Sequence, residues 1–170
     1  MVGVDLSPKM VAKAQATGHY TAVRVQDANE VLAQEEPGRL DLLLSADTFI
    51  YVGALEACFA GAARVLRRPG GLFAFSIEEL KDVVDGGNGG GGGGGSEDAA
   101  AGFRLVLSGR YAHRPAYVEG LAARHGLGVR AKEAVVVRQE SGQPIAGWIY
   151  VAEAGADDGG GGGDSVVGVS

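Results

Sequence analysis

The chain has 170 residues, a formal net charge of −6 and 46% apolar residues, which suffices for one domain with its own core. The acidic balance, without any basic block, argues against nucleic acid as a direct ligand. Cys58 is the single cysteine, which excludes an internal disulfide, and no spacing of residues indicates a metal site. No apolar run approaches the ~20 residues that cross a bilayer, so no membrane partner is predicted.

Glycine is concentrated in two low-complexity runs. Nine of the 30 glycines lie between residues 86 and 95, and five lie at 159–163. We therefore predict one domain over residues 1–154, with a flexible glycine-rich insertion at 86–98, and a disordered tail at 155–170. The N-terminus carries no secretory signal, so a cytoplasmic location is expected, with an organellar leader ahead of Met1 as the open alternative.

The first half of the chain alternates predicted strands and helices. Val2–Asp5 is the end of a strand, and a helix follows at once because Ser7 is a good N-cap and Pro8 suits the first helical position. A strand, a short helix, an apolar strand, a long helix and another strand are then predicted at Thr21–Val25, Asn29–Gln34, Leu40–Ser45, Ala54–Leu66 and Leu72–Ser76. The run of three leucines at 42–44 is typical of a strand covered on both faces.

The second half ends in a predicted hairpin. An extended segment at Phe103–Leu107 and a helix from Ala116 to His125 precede two strands, Gly128–Arg138 and Ile145–Glu153, joined by a turn. Alternating units first and a hairpin last predict an α/β fold with a mostly parallel sheet and an antiparallel last strand.

Five segments carry a family resemblance: Gly3–Ser7, Val25–Ala28, Asp41–Asp47, Leu66–Ser76 and Ser108–His113. Their order and spacing resemble class I S-adenosylmethionine-dependent methyltransferases. The last segment is similar to that of predicted methyltransferases with tetratricopeptide repeats ahead of the catalytic domain. The resemblance covers residues 2–153 and implies a Rossmann-like sheet, S-adenosylmethionine as cofactor, and a small-molecule or protein methyl acceptor. Such transfer needs mainly orientation of the reactants.

Asp5 is the strongest candidate for a cofactor contact. A carboxylate at the carboxyl end of a strand can accept hydrogen bonds from both ribose hydroxyls, although an Asp here could instead begin the capping turn before Ser7. Leu6 would cover the adenine or belong to the core. The resemblance implies that Asp27 accepts from the adenine amino group and that the Ala28 amide meets a ring nitrogen; the alternative for Asp27 is an N-cap.

Ser45, Ala46 and Asp47 end the central apolar strand, where open α/β sheets place ligands. The resemblance implies that this segment lines the methionine part of the cofactor and the acceptor entrance, with Asp47 either orienting the acceptor or capping a loop. His113 is a candidate for taking up the acceptor's proton. The candidate acceptor-binding residues, each with a structural role as the alternative, are Tyr51, Arg110 and Tyr111.

Two other functions stay open. In the resembled family a first strand and a glycine-rich turn precede the strand that ends in the ribose-binding acid, and this sequence has neither ahead of Val2. The chain is therefore interpreted as N-terminally truncated, and a non-catalytic methyltransferase-like fragment or interaction protein is the main alternative. A nicotinamide-dependent oxidoreductase could use a similar acid, but no Tyr-x-x-x-Lys pair occurs.

Overall fold

The computed structural model describes residues 1–81, 101–140 and 142–156. Within them lie eight strands: β1 (Val2–Asp5), β2 (Ala22–Val25), β3 (Leu42–Ser45), β4 (Leu72–Glu78), β5 (Phe103–Leu105), β6 (Tyr111–His113), β7 (Leu127–Glu140) and β8 (Gln143–Ala154). The helices are α1 (Pro8–Ala16), α2 (Ala28–Gln34), a 3₁₀ turn at Phe49–Tyr51, α3 (Glu56–Val65) and α4 (Pro115–Arg124).

The strands form three sheets. β1 and β2 pair in parallel, β5 and β6 form an antiparallel hairpin, and a four-stranded sheet has the order β3-β4-β8-β7. In the larger sheet β3, β4 and β7 run in the same direction, and β8, which pairs with both β4 and β7, runs antiparallel to all three. The α/β class is confirmed, with sheets of mixed parallel and antiparallel strands, and the last strand, β8, is antiparallel as predicted.

The capping signal at Ser7 predicts the start of α1 correctly. The Ser7 side chain is the N-cap and accepts a hydrogen bond from the Met10 amide at 3.4 Å, with Pro8 in the first turn. The buried face of this helix is narrow. Val11 is buried, but Met10 is exposed.

The hydrophobic core lies on one face of the four-stranded sheet. Helices α3 and α4 pack there, and the core includes Phe59, Phe73, Phe75 and Tyr150. Leu43 packs against this core, whereas Leu42 and Leu44 on the opposite face remain 57% and 62% exposed. The prediction that β3 is covered on both faces is wrong for the described residues, because both packed helices lie on the Leu43 side.

The β1–β2 pair is joined to the larger sheet through packing of α2 on α3. Arg64 of α3 donates to the carbonyl oxygens of Leu32 and Glu35 at the end of α2. Gly61 permits the close approach, since a Cβ there would come 2.9 Å from the Leu32 Cβ. Among the described strands, β1 pairs only with β2 and β3 only with β4, and the proposed absence of a strand between them stays a prediction.

The hairpin β5–β6 is the main element that the sequence did not predict. Only an extended segment was expected at 103–107, and residues 111–113 were assigned no strand. The predicted insertion at 86–98, and the predicted tail from residue 157 onward, lie outside the described residues.

Candidate active site

The candidate cofactor residues, and Asp47, lie at or just after the carboxyl ends of parallel strands. In the first pair, Asp5 is in register with Val25, two residues before Asp27. In the second pair, Ser45 is in register with Phe75. Carboxyl ends of parallel strands share one edge of a sheet, which is where open α/β folds bind ligands.

Asp5 is exposed, and one of its oxygens is already engaged. Its Oδ1 accepts a hydrogen bond from the Ser7 amide at 2.7 Å, so the capping-turn interpretation of this residue is observed. This bond fixes the orientation of the carboxylate. An ionised carboxylate has two oxygens and about four acceptor positions, so the turn does not exhaust its capacity. Leu6 beside it is 67% exposed, rather than part of the core.

Asp27 has the same arrangement at the start of α2. It is the N-cap, and its Oδ1 accepts from the amides of Asn29 at 2.8 Å and Glu30 at 3.2 Å. Ala28 is the first residue of the helix. The Gln26 amide donates to the Asp5 carbonyl at 3.2 Å, which ties this segment to the end of β1. Asp5 and Asp27 therefore stand at neighbouring strand ends, each oriented by a hydrogen bond from a backbone amide.

Asp47 has an unusual backbone conformation. Its φ of 58° is left-handed, and it is the single described residue other than glycine with a positive φ. Such conformations concentrate at functional sites, and Asp tolerates them better than most residues do. The Asp47 amide donates to Ser76 Oγ at 3.1 Å, so the turn after Ser45 is attached to the carboxyl half of β4.

The β3–α3 loop, residues 46–55, continues from Asp47. Phe49 and Ile50 are buried within its 3₁₀ turn, whereas the next residue, Tyr51, is 65% exposed. The loop is therefore anchored by two buried side chains and exposes the aromatic ring of Tyr51 to solvent. Tyr111 of the β5–β6 hairpin packs near it, because a Cβ at Gly53 would lie 2.8 Å from the Tyr111 ring.

Arg110 belongs to a network of charges and is not a free cation. Its Nη1 lies 3.3 Å from Glu140 Oε1, the same oxygen that is 2.9 Å from Arg138 Nη1. Arg138 also contacts the buried Glu78 through Nη2 at 2.9 Å, and this hydrogen bond raises the pKa of Arg138. The network attaches the hairpin to β4 and β7. It leaves Arg110 less available for an acidic acceptor group than the sequence suggested.

His113 is fully buried, at 0% exposure. Its Nε2 lies 2.9 Å from the carbonyl oxygen of Gly53. Since a carbonyl can only accept, Nε2 carries the proton, and Nδ1 is a buried nitrogen without a hydrogen-bond partner among the described residues. Burial lowers the pKa of His113 below 6.5, so the ring is neutral at neutral pH.

We expect the free energy of unfolding to decrease as the pH falls below about 6.5. The unfolded chain then binds a proton that the folded chain excludes at His113, so stability is lost between the unfolded and folded pKa values. The slope from this residue is at most about 1.4 kcal/mol per pH unit. Urea unfolding from about pH 5 to 7.5 should show it in wild type and not in His113→Gln. Equal slopes would contradict this origin.

Comparison with known proteins agrees with this geometry. Residues 1–75 match the family model described as a methyltransferase domain. A SAM-dependent methyltransferase from Methanosarcina mazei aligns with a TM-score of 0.65 at 12% identity, over 92% of this chain and 82% of that chain. The chain has the α/β methyltransferase fold. A search of curated proteins finds no match to the chain.

Two further structures show how widely the methyltransferase fold is used. A 1,6-didemethyltoxoflavin-N1-methyltransferase from Burkholderia thailandensis, with 1,6-didemethyltoxoflavin and S-adenosylhomocysteine bound, has a TM-score of 0.61 at 15% identity, covering 91% of this chain and 60% of its own. The cyclase SpnF has a TM-score of 0.65 at 12% identity, covering 91% and 66%. At these identities the likeness shows the fold alone, and one neighbour is named for a different activity.

Within the methyltransferase fold, two residues that hold the site together were not found from the sequence. Tyr117 Oη accepts from the Leu55 amide at 2.8 Å, and Arg138 joins Glu78 to Glu140. The signal for Arg138 was its i, i+2 spacing from Glu140, which places both side chains on one face of β7. No local pattern marks Tyr117, whose partner lies 62 positions away.

No helix among the described residues is long and apolar enough to span a bilayer.

Proposed function

We propose that the chain binds S-adenosylmethionine across the carboxyl ends of β1, β2 and β3 and supports methyl transfer to an acceptor. The observation that carries this proposal is the pair of aspartates, Asp5 and Asp27, at neighbouring parallel strand ends. In each, Oδ1 accepts a hydrogen bond from a backbone amide of the following turn, and this bond orients the second oxygen. Preorientation lowers the entropy that ligand binding must overcome.

The proposed contacts follow the order of the strands. Asp5 accepts from the ribose hydroxyls and exposed Leu6 covers the adenine, while Asp27 and the Ala28 amide meet the edge of the adenine. Ser45 lines the methionine part. These side chains lie at or beside the ends of β1, β2 and β3, which supports a ligand extended across them.

The acceptor would lie over the β3–α3 loop. S-adenosylmethionine held there would supply an activated methyl group, and an acceptor lone pair attacking the methyl carbon in line would displace the cofactor sulfur as a thioether. Asp47 is proposed to orient the acceptor and take its proton, because it is exposed and held by its bond to Ser76. Tyr51 and Tyr111 would form the wall of the acceptor site, with Arg110 behind them. Holding the acceptor in line supplies most of the acceleration.

The cofactor cradle is the proposed binding site formed by the carboxyl ends of β1, β2 and β3. We further propose that this cradle is incomplete between β1 and β3, as the truncation hypothesis expects. Support comes from the edges of β1 and β3 that no other described strand shares. Without backbone donors there, we expect a dissociation constant for S-adenosylmethionine above about 100 µM. The association with tetratricopeptide repeats stays a prediction.

An NMR titration with S-adenosylmethionine tests this proposal. Up to several millimolar, amide shifts should change at residues 5–7, 26–28 and 45–47, and NAD⁺ at the same concentrations should cause smaller changes. Shifts that map elsewhere, or none at all, would contradict the cofactor site and favour the interaction-protein alternative. Micromolar affinity would contradict the incomplete cradle while supporting the site.

A further inference from the structure

Among the described residues, hydrogen bonds link the β3–α3 loop to β4, β6 and α4. The Asp47 amide donates to Ser76 Oγ at 3.1 Å near the start of the loop. Near its end, the Gly53 carbonyl faces His113 Nε2 at 2.9 Å, and the Leu55 amide donates to Tyr117 Oη at 2.8 Å. The first attachment comes from β4, while the other two come from β6 and α4.

His113 is itself rigidly held. Its carbonyl accepts from the Leu80 amide at 2.9 Å, so β6 is attached to the segment that follows β4. Its ring is stacked on Tyr117, with centroids 6.2 Å apart and an interplanar angle of 12°, and it lies 6.0 Å from the ring of Phe103. A neutral imidazole fixed in this way presents Nε2–H to one point of the loop.

The backbone at Gly53 is closely packed by the aromatic rings of the β5–β6 hairpin. A Cβ at this position would come 2.7 Å from the Phe103 ring and 2.8 Å from the Tyr111 ring, so the two hairpin aromatics close directly on the loop backbone. The Gly53 carbonyl is thereby turned toward the histidine. Without a donor at position 113, this carbonyl would be left among aromatic rings with its hydrogen bond unmade, an arrangement that folded proteins avoid.

Tyr117 provides a second attachment of the same kind. Burial raises the pKa of Tyr117 to about 12, so its hydroxyl keeps its proton. That proton is donated to Glu56 Oε2 at 3.0 Å while the oxygen accepts from Leu55. The end of the loop and the start of α3 are therefore fixed together, and the His113 contact at Gly53 lies two residues upstream of Leu55.

We propose that His113 is a positioning residue, which acts through the Gly53 carbonyl to hold Tyr51 at the acceptor side of the site. The proposal rests on the proposed function, because it takes the β3–α3 loop to be the acceptor wall. Tyr51 is two residues from Gly53 and is exposed, so we expect backbone freedom at Gly53 to change the position of its ring.

Proton transfer by His113 is disfavoured by the same geometry. Nε2–H is already donated to Gly53, and neither ring nitrogen has a route to solvent, because the residue is 0% exposed. A general base must come within about 3 Å of the proton that it removes. Asp47, at the exposed start of the loop, meets that requirement more readily.

Hydrogen–deuterium exchange of the full chain tests this role. In His113→Leu, amides of residues 49–55 should exchange roughly tenfold faster than in wild type, because the carbonyl loses its donor. In His113→Gln, whose side-chain amide can donate from a similar position, protection should return to within about threefold. His125→Leu is the matched control, since that histidine ends α4 and should leave the loop unchanged.

Unchanged exchange of the loop in His113→Leu would overturn the proposal. Acceleration that also spreads evenly over β4 and β8 would overturn it too, because it would indicate a purely structural role for His113. Failure of rescue by His113→Gln, with β4 and β8 still protected, would also count against a donor role. The readout needs no cofactor. It therefore remains decisive for His113 even if S-adenosylmethionine causes no shift changes at the strand ends.

Discussion

Replacing Phe59 with alanine should lower the free energy of unfolding by about 3–5 kcal/mol. The ring is 0% exposed on α3 and lies 5.5 Å from Phe73 and 5.3 Å from Phe75, each in an edge-to-face arrangement. Its loss removes the transfer free energy of the ring and leaves a cavity between helix and sheet. Urea unfolding followed by circular dichroism measures the change.

The effect should extend to the site. Phe49, in the β3–α3 loop, is 6.2 Å from the Phe59 ring and 5.7 Å from the Phe75 ring, so the core cluster is also the base of the loop. Tyr51→Ala is the matched control, an aromatic truncation at an exposed position where a change within about 0.5 kcal/mol is expected. A Phe59→Ala cost below about 1 kcal/mol would mean that this cluster does not anchor α3.

Local sequence signals predicted the first third of the fold well. The start of α1 followed from a serine and a proline whose backbone preferences agree, and the structure places Ser7 at the N-cap. For Asp27, the sequence left two roles open: an N-cap of α2 and a contact with the adenine. The capping bond is present, and the second carboxylate oxygen keeps the ligand interpretation as a proposal.

Features that depend on distant partners were not predictable. The leucine run in β3 indicated burial on both faces, but which face receives a helix depends on where α3 and α4 pack, and Leu42 and Leu44 are left exposed. The strands of the β5–β6 hairpin have three residues each, too few to show an alternating pattern. His113 suggested a proton acceptor because burial cannot be read from one histidine in a short segment.

Asp5→Asn should weaken S-adenosylmethionine binding roughly 5- to 150-fold, which corresponds to about 1–3 kcal/mol for hydrogen bonds to a charged acceptor. Asparagine keeps a side-chain oxygen that can accept from the Ser7 amide at the start of α1. It removes the charge and replaces the second acceptor oxygen with a donor. The substitution therefore separates the proposed ligand contact from the capping turn.

Asp41→Asn is the matched control. Asp41 is an exposed aspartate just before β3, at the opposite end of that strand from Ser45, and it pairs with Arg67 at 2.8 Å. The Asp41→Asn substitution removes one negative charge, as Asp5→Asn does, but leaves the proposed cradle unchanged. A nonspecific effect of net charge on binding would therefore appear equally in both variants.

The ratio of the dissociation constants of Asp5→Asn and Asp41→Asn, measured by titration with S-adenosylmethionine, tests the central claim most directly. A cofactor cradle at the carboxyl ends of β1 and β2 predicts that the Asp41 variant binds like wild type and that the Asp5 variant binds at least about fivefold more weakly. Equal affinities in the two variants would contradict it, because Asp5 would then serve only the capping turn at Ser7.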